Sequence, residues 1–168
     1  KLKRKSIILA QKKEFEGYVP TEHEICEDMI LFYFIMFCLE RVQFMDSFGT
    51  TFIIAQSGWY QAIGQAVKKI CQDEYEVHSE LRKEVILKQM NTEIGKRVFD
   101  KLKPKMVQIL EEVVDSEIRW TVEDLFVNDT NTLVGTNSDL MVKWCLFNAK
   151  AVANTLGLKT KFTFPKSN

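Results

Sequence analysis

One uncharged run dominates the middle of this sequence: Met29-Ile30-Leu31-Phe32-Tyr33-Phe34-Ile35-Met36-Phe37-Cys38-Leu39. Its eleven residues are too few for a membrane span, which needs about 20 apolar residues, so the run predicts a buried helix. Thr21-Glu22-His23-Glu24 just before it has the form of a capping box, and apolar residues continue to Ile53. We therefore expect one long helix over about residues 22–56. Because this helix is apolar on nearly every side, it should lie in the middle of a bundle.

Further helices follow, separated by short loops. Ser57-Gly58 breaks the first helix, and apolar residues at three- and four-residue steps predict a second helix over about 60–90. The remaining helices are expected over about 93–102, over about 104–127 with Pro104 in the first turn, and over about 138–155 with Thr136 or Ser138 as the cap and Gly157 after the last turn. Residues 1 to about 15 are also compatible with a helix. Since no strand pattern of any length is present, the sequence predicts an all-α bundle forming a single domain, residues 1–168.

The charge balance argues against some classes of function. There are 23 basic and 23 acidic side chains, whereas a protein that binds nucleic acid over a broad face is usually basic. None of the four cysteines belongs to a Cys-x-x-Cys pair, and each lies in an apolar stretch, so we expect buried, reduced thiols. These features favour a cytoplasmic protein, in the host cytoplasm if it is viral, that binds neither nucleic acid nor membrane.

Two polar features interrupt the apolar helices. Glu40 directly follows the uncharged run, and because burial of an unpaired carboxylate is costly, such a residue needs a cation beside it. Glu74 and His78 are four residues apart, so they share one helical face and could bind a metal, with Asp73 orienting a ligand. Both features also have an ordinary interpretation. Glu40 could face water or pair with a Lys of another helix, and the acids near Glu74 could form a solvated stripe.

The two features are more informative together. Glu40 lies 18 residues before Gly58 and Glu74 lies 16 residues after it, so antiparallel helices joined at this break would place both at one height. A carboxylate on one helix that faces a carboxylate and an imidazole on the next is half of a di-iron carboxylate site. Oxygen and imidazole ligands suit Fe or Mn.

Four segments are similar to those of a known family. The first is Leu39-Glu40-Arg41-Val42-Gln43-Phe44-Met45-Asp46-Ser47-Phe48-Gly49-Thr50-Thr51-Phe52, with its Leu-Glu and Phe-x-x-Ser-Phe pattern. The others are Ile70-Cys71-Gln72-Asp73-Glu74, Glu117-Ile118-Arg119-Trp120 leading to Leu125-Phe126, and Gly157-Leu158 with Phe164-Pro165. From about residue 25 to residue 168, the sequence resembles the small, radical-generating subunit of class I ribonucleotide reductase, in a phage-like version. The resemblance implies a ferritin-like helical bundle, of which this chain would form the carboxyl-side helices.

The resemblance also implies roles for the site residues. Glu40, Glu74 and His78 would be ligands of a centre with two Fe, or with Mn or a mixed Mn/Fe pair. Asp73 would link this centre to the radical-transfer route. The apolar pocket that shields the radical would be lined by Phe44, Phe48 and Ile70. The complete subunit would generate the radical with which the large subunit reduces ribonucleotides to deoxyribonucleotides for DNA replication.

The sequence departs from the family pattern in the spacing of its ligands. The family has Glu-x-x-His, whereas Glu74 and His78 are four residues apart. A π-bulge between them would absorb the extra residue. Glu76 would replace Glu74 as the ligand if the register slipped.

A second departure concerns the other half of the site. The family supplies further Asp, Glu and His ligands and the radical Tyr from amino-side helices, but the candidates before residue 25 are only Glu14, Glu16, Glu22, His23 and Glu24, near a loop. We therefore expect half of the ligand set here and a complementary amino-side half as partner, as for a split or truncated subunit without activity on its own. We likewise expect this chain to lack the family's flexible carboxyl-terminal tail, which docks the large subunit.

Two other interpretations remain open beside a ribonucleotide reductase subunit. One is another ferritin-like di-metal oxidase or oxygenase, which shares the ligands but does not transfer a radical to a partner. The other is a non-catalytic helical interaction domain with solvated acids. As partners of a reductase subunit we expect the large subunit and a second small subunit in a homodimer.

Overall fold

A computed structural model describes residue 17 and residues 19–131 and 133–165 of the chain. The helix-compatible segment predicted over residues 1–15 lies outside them. No β-strand occurs among the described residues, which confirms the all-α prediction. Their helical segments are, in order, α1 (Glu22–Cys38), π1 (Leu39–Gln43), α2 (Phe44–Gln56), α3 (Gln61–Gln72), π2 (Asp73–His78), α4 (Ser79–Met90), α5 (Glu93–Arg119), π3 (Trp120–Leu125) and α6 (Ser138–Leu156).

Two antiparallel helical rods carry the candidate ligands. α1, π1 and α2 form one continuous rod over residues 22–56, and α3, π2 and α4 form a second over residues 61–90. α2 packs on α3 and α1 packs on α4. The chain reverses at Ser57-Gly58, where Gly58 has a φ of 94°, a conformation that residues with a Cβ rarely adopt. Both predicted helices and the break between them are confirmed.

The first rod begins as the sequence predicts. The Thr21 side chain accepts a hydrogen bond from the backbone N–H of Glu24, and the Glu24 carboxylate accepts one from the backbone N–H of Thr21. This capping box satisfies two donors at the helix start and fixes where α1 begins.

The predicted boundary at Pro104 is wrong. α5 runs without a break from Glu93 to Arg119, so Pro104 lies in the helix interior. A proline there lacks the N–H donor and usually bends or ends a helix. Pro104 is exposed, while Leu102 and Met106 on either side of it are buried in the core. We infer that burial of this apolar stripe keeps the helix intact through the proline.

The last helix agrees with the prediction in extent but not in its cap. The Asn137 side chain, rather than Thr136 or Ser138, accepts a hydrogen bond from the backbone N–H of Leu140 at 2.9 Å. At the other end Gly157 takes a left-handed conformation with a φ of 61°, as predicted for a residue following the last turn.

The core is formed where α1, α4, α5 and α6 meet. Phe34, Phe99 and Leu110 are fully buried there. The opposite side of α1 is open, because Phe32 is 57% and Ile35 is 43% exposed. The expectation that this rod is enclosed on all sides is therefore wrong for the described residues, which leave one apolar face of the first rod uncovered.

Three of the four cysteines are buried, as the sequence predicts. Cys26, Cys38 and Cys145 are buried, Cys71 is partly buried, and all four are free thiols.

Among the described residues, none of the helices combines the length and the apolar character that a bilayer span requires.

Candidate metal centre

Glu40 is buried on the π1 segment, with only 2% of its surface exposed. Its Oε1 atom lies 3.2 Å from an Nη atom of Arg82 on α4. Its Oε2 atom is buried and has no hydrogen-bond partner among the described residues. Burial raises the pKa of the Glu40 carboxyl, the nearby Glu74 carboxylate raises it further, and Arg82 and His78 act in the opposite direction. A buried carboxylate with one free oxygen can accept a further cation.

The second rod brings Glu74 and His78 together. Nδ1 of His78 lies 3.0 Å from Oε2 of Glu74. The Glu74 side chain is 16% exposed and that of His78 is 46% exposed. Both residues belong to the π2 segment, so the predicted π-bulge between them is confirmed.

Glu40, Glu74 and His78 converge on one point between the two rods. Each offers a ligand atom, and these atoms all lie within 4.8 Å of one another. Glu40 and Glu74 therefore lie at one height in the bundle, as their distances from the helical break predict. Two carboxylate oxygens and one imidazole nitrogen form a donor set that suits Fe, Mn or Zn. The free Oε2 of Glu40 and the partial exposure of His78 leave the cluster accessible to an ion.

Sequence reasoning missed Arg82, which pairs with Glu40. Arg82 lies four residues after His78 and eight after Glu74. Three polar side chains at steps of four on one helical face were the available signal. The structure thus contradicts the alternative in which Glu40 faces water. Glu40 instead pairs with a cation of another helix, as the other alternative expected, but the cation is an Arg and not a Lys.

A comparison with protein-family models decides the ancestry of the chain. Residues 2–168 match the model described as ribonucleotide reductase, small chain. The chain belongs to that family. A search of curated proteins finds no significant match. The helical bundle is accordingly the ferritin-like fold of the ribonucleotide reductase small chain.

The family resemblance also gave roles to residues of α2, α3 and π2 outside the cluster. Phe44 and Phe48 are half-buried and their ring centroids are 5.9 Å apart. Ile70 is 48% exposed. Asp73 and Glu76 are exposed, and the carboxylate that joins the cluster is that of Glu74 rather than Glu76.

Tyr75 is the residue that follows Glu74 in the π2 segment. The Arg41 guanidinium lies 3.7 Å from the centre of the Tyr75 ring, in the geometry of a cation–π contact. This contact links π1 to π2 beside the ligands. Arg41, adjacent to Glu40 in sequence, therefore packs on the second rod and does not neutralise Glu40.

A second buried polar group lies near α6. Asp46 is fully buried, and burial raises the pKa of its carboxyl to about 7, with the Cys145 thiol lowering the pKa and Glu117 raising it. Burial also raises the pKa of Glu117, whose Oε1 accepts a hydrogen bond from Nε2 of Gln43 at 3.2 Å, a bond that lowers it. Nothing in the spacing of these residues predicted this group, because its members come from the first rod, α5 and α6.

Proposed function

We propose that this chain provides three ligands, Glu40, Glu74 and His78, to the two-metal centre of a ribonucleotide reductase small subunit. The observation that carries the proposal is their convergence within 4.8 Å around the unpartnered Oε2 of Glu40. Membership of the small-chain family supports the reductase over the other two interpretations.

The donor set fits iron or manganese. Oxygen and imidazole donors suit both metals, and a buried carboxylate oxygen without a partner is stabilised by a bound cation. Two Fe, Mn, or a mixed pair are all compatible with these donors. When bound, the centre supplies the one-electron oxidising chemistry that generates the radical used by the large subunit.

A second segment is expected to complete the centre. Three ligands do not fill two metal sites, and His78 is nearly half exposed. Apolar side chains next to the ligands are exposed as well: Ile70 by 48%, Val77 by 56% and Leu81 by 50%. An exposed apolar surface around a polar site is typical of a docking face. The occupant that we propose is the complementary amino-side part of the small subunit, with the remaining Asp, Glu and His ligands.

The neighbouring residues then have defined roles. Phe44, Phe48 and Ile70 exclude water from the radical, because their side chains are apolar. These side chains also offer no group that a radical could oxidise easily. Asp73 holds a hydrogen bond on the transfer route toward the large subunit. A homodimer of small subunits and the large subunit are the expected partners, and this chain alone is expected to lack reductase activity.

Metal content tests the proposal. The chain is refolded with an amino-side fragment of a ribonucleotide reductase small subunit, and Fe and Mn are counted by mass spectrometry. We expect about two metal ions per complex. His78→Ala should lose them, whereas His23→Ala, which alters an exposed histidine on α1, should not. Equal metal content in both variants, or none in the native complex, would contradict the proposal.

A further inference from the structure

Arg82 is the cation that neutralises Glu40 in this structure. It lies on α4 one turn beyond His78, and its Nη atom is 3.2 Å from Oε1 of Glu40. The contact connects two helical rods at the level of the three ligands. It also occupies one of the two oxygens with which Glu40 would bind a metal.

The pair is substantially buried. The Arg82 side chain is 21% exposed and Glu40 is 2% exposed. The Nε atom of Arg82 is buried and has no hydrogen-bond partner among the described residues. Burial of a guanidinium with an unsatisfied donor costs free energy unless a partner of opposite charge offsets it, and Glu40 is that partner. The position of Arg82 is therefore explained by its ion pair with the Glu40 carboxylate.

We propose that Arg82 and the bound metal are alternative counter-charges for Glu40, so that Arg82 stabilises the metal-free chain and weakens metal binding. This inference rests on the proposed function, because it requires that a metal binds at Glu40, Glu74 and His78. A metal ion beside these ligands lies close to the guanidinium, and like charges a few ångströms apart repel each other. The same ion neutralises Glu40 and so replaces what Arg82 provides.

Removal of the charge should therefore have opposite effects on the two states. Arg82→Gln leaves Glu40 buried without its counter-charge, which destabilises the metal-free chain. The same substitution removes the repulsion, so Mn(II) should bind on the order of tenfold more tightly. Arg82→Lys keeps the charge and should bind Mn(II) nearly as the native chain does. Arg97→Gln is the matched control, because Arg97 forms an exposed ion pair with Glu93.

Two measurements on the purified full chain test the inference. Mn(II) titration followed by electron paramagnetic resonance gives the affinities, and urea unfolding of the metal-free chain compares Arg82→Gln, Glu40→Gln and the double variant. We expect the destabilisation by Arg82→Gln to become smaller in the Glu40→Gln background. Mn(II) binding by the native chain that Arg82→Gln leaves unchanged or weakens would overturn this inference alone. No Mn(II) binding by either chain would overturn this inference as well, whereas the proposed function is decided by the metal content of the complex with the amino-side fragment.

Discussion

Glu40 and Glu74 are 34 residues apart in the chain, yet a carboxylate oxygen of each lies within 4.8 Å of the other and of a His78 nitrogen. The helical reversal at Ser57-Gly58 produces this proximity, because it folds two continuous rods back on each other. Two carboxylates at this distance repel each other unless a cation lies between or beside them. Arg82 beside Glu40 offsets part of this repulsion in the metal-free chain, and a metal ion bound between the carboxylates would offset it as well.

Asp46 predicts a pH dependence of stability. Burial raises the pKa of its carboxyl to about 7, above the ordinary value of 3.8, so the folded chain binds a proton that the unfolded chain has lost. Stability therefore falls as the pH rises from about 4 to about 7 and stays low above that. Asp46→Asn is neutral at every pH and should be more stable than the native chain at pH 8, by about 2 kcal/mol.

Urea unfolding at pH 5 and at pH 8 measures this effect. The advantage of Asp46→Asn should be smaller at pH 5, where the native carboxyl is mostly protonated in the folded state. Asp139→Asn serves as the control, because Asp139 is exposed at the start of α6. An advantage of Asp46→Asn that is the same at both pH values would show that Asp46 is not the titrating group.

Gly95 has no room for a larger residue. A Cβ atom at this position would lie 1.9 Å from the backbone oxygen of Gln89, in the last turn of α4. Because that oxygen belongs to backbone, it cannot move away without shifting the end of α4. Gly95→Ala should lower the free energy of unfolding by about 1–3 kcal/mol, despite the better helix propensity of alanine. Lys96→Ala, a change at the exposed neighbour, should alter it by less than about 0.5 kcal/mol in the same thermal or urea unfolding assay.

The role proposed for Asp73 predicts that metal binding and radical transfer can be separated. Asp73 is exposed and lies outside the group formed by Glu40, Glu74 and His78. Asp73→Asn should therefore leave the metal content of the assembled small subunit unchanged. The rate at which the variant small subunit and the large subunit together produce deoxyribonucleotides should fall at least about 100-fold, because an amide does not accept and release a proton as a carboxylate does. Loss of metal together with activity would instead identify Asp73 as a ligand.

The sequence was sufficient for the long helices and for the heights of the candidate ligands along them. Apolar periodicity and the Gly58 break predict the two rods, and the distances of Glu40 and Glu74 from that break predict their heights in the bundle. These features depend only on neighbouring residues or on distance along the chain. The extra residue between Glu74 and His78 was also recognisable, because it changes a spacing that the family keeps at three.

Features that depend on packing between distant segments were not predictable in this way. Pro104 lies inside a helix because buried Leu102 and Met106 outweigh its local preference. The Arg82 contact and the burial of Asp46 arise from how the rods turn toward each other, which spacing along one helix does not specify. The open face of α1 was likewise unexpected, because the sequence alone does not distinguish a buried apolar residue from one exposed on a docking face.

The most direct test of the metal centre compares two acids of the π2 segment, Glu74 and Glu76. Each is directly adjacent to Tyr75, but of the two only Glu74 joins Glu40 and His78. Mn(II) titration of the purified chain, followed by electron paramagnetic resonance, should show binding that Glu74→Ala weakens at least about 100-fold and Glu76→Ala leaves within about twofold. Equal affinities of the two variants would contradict a metal centre at Glu40, Glu74 and His78.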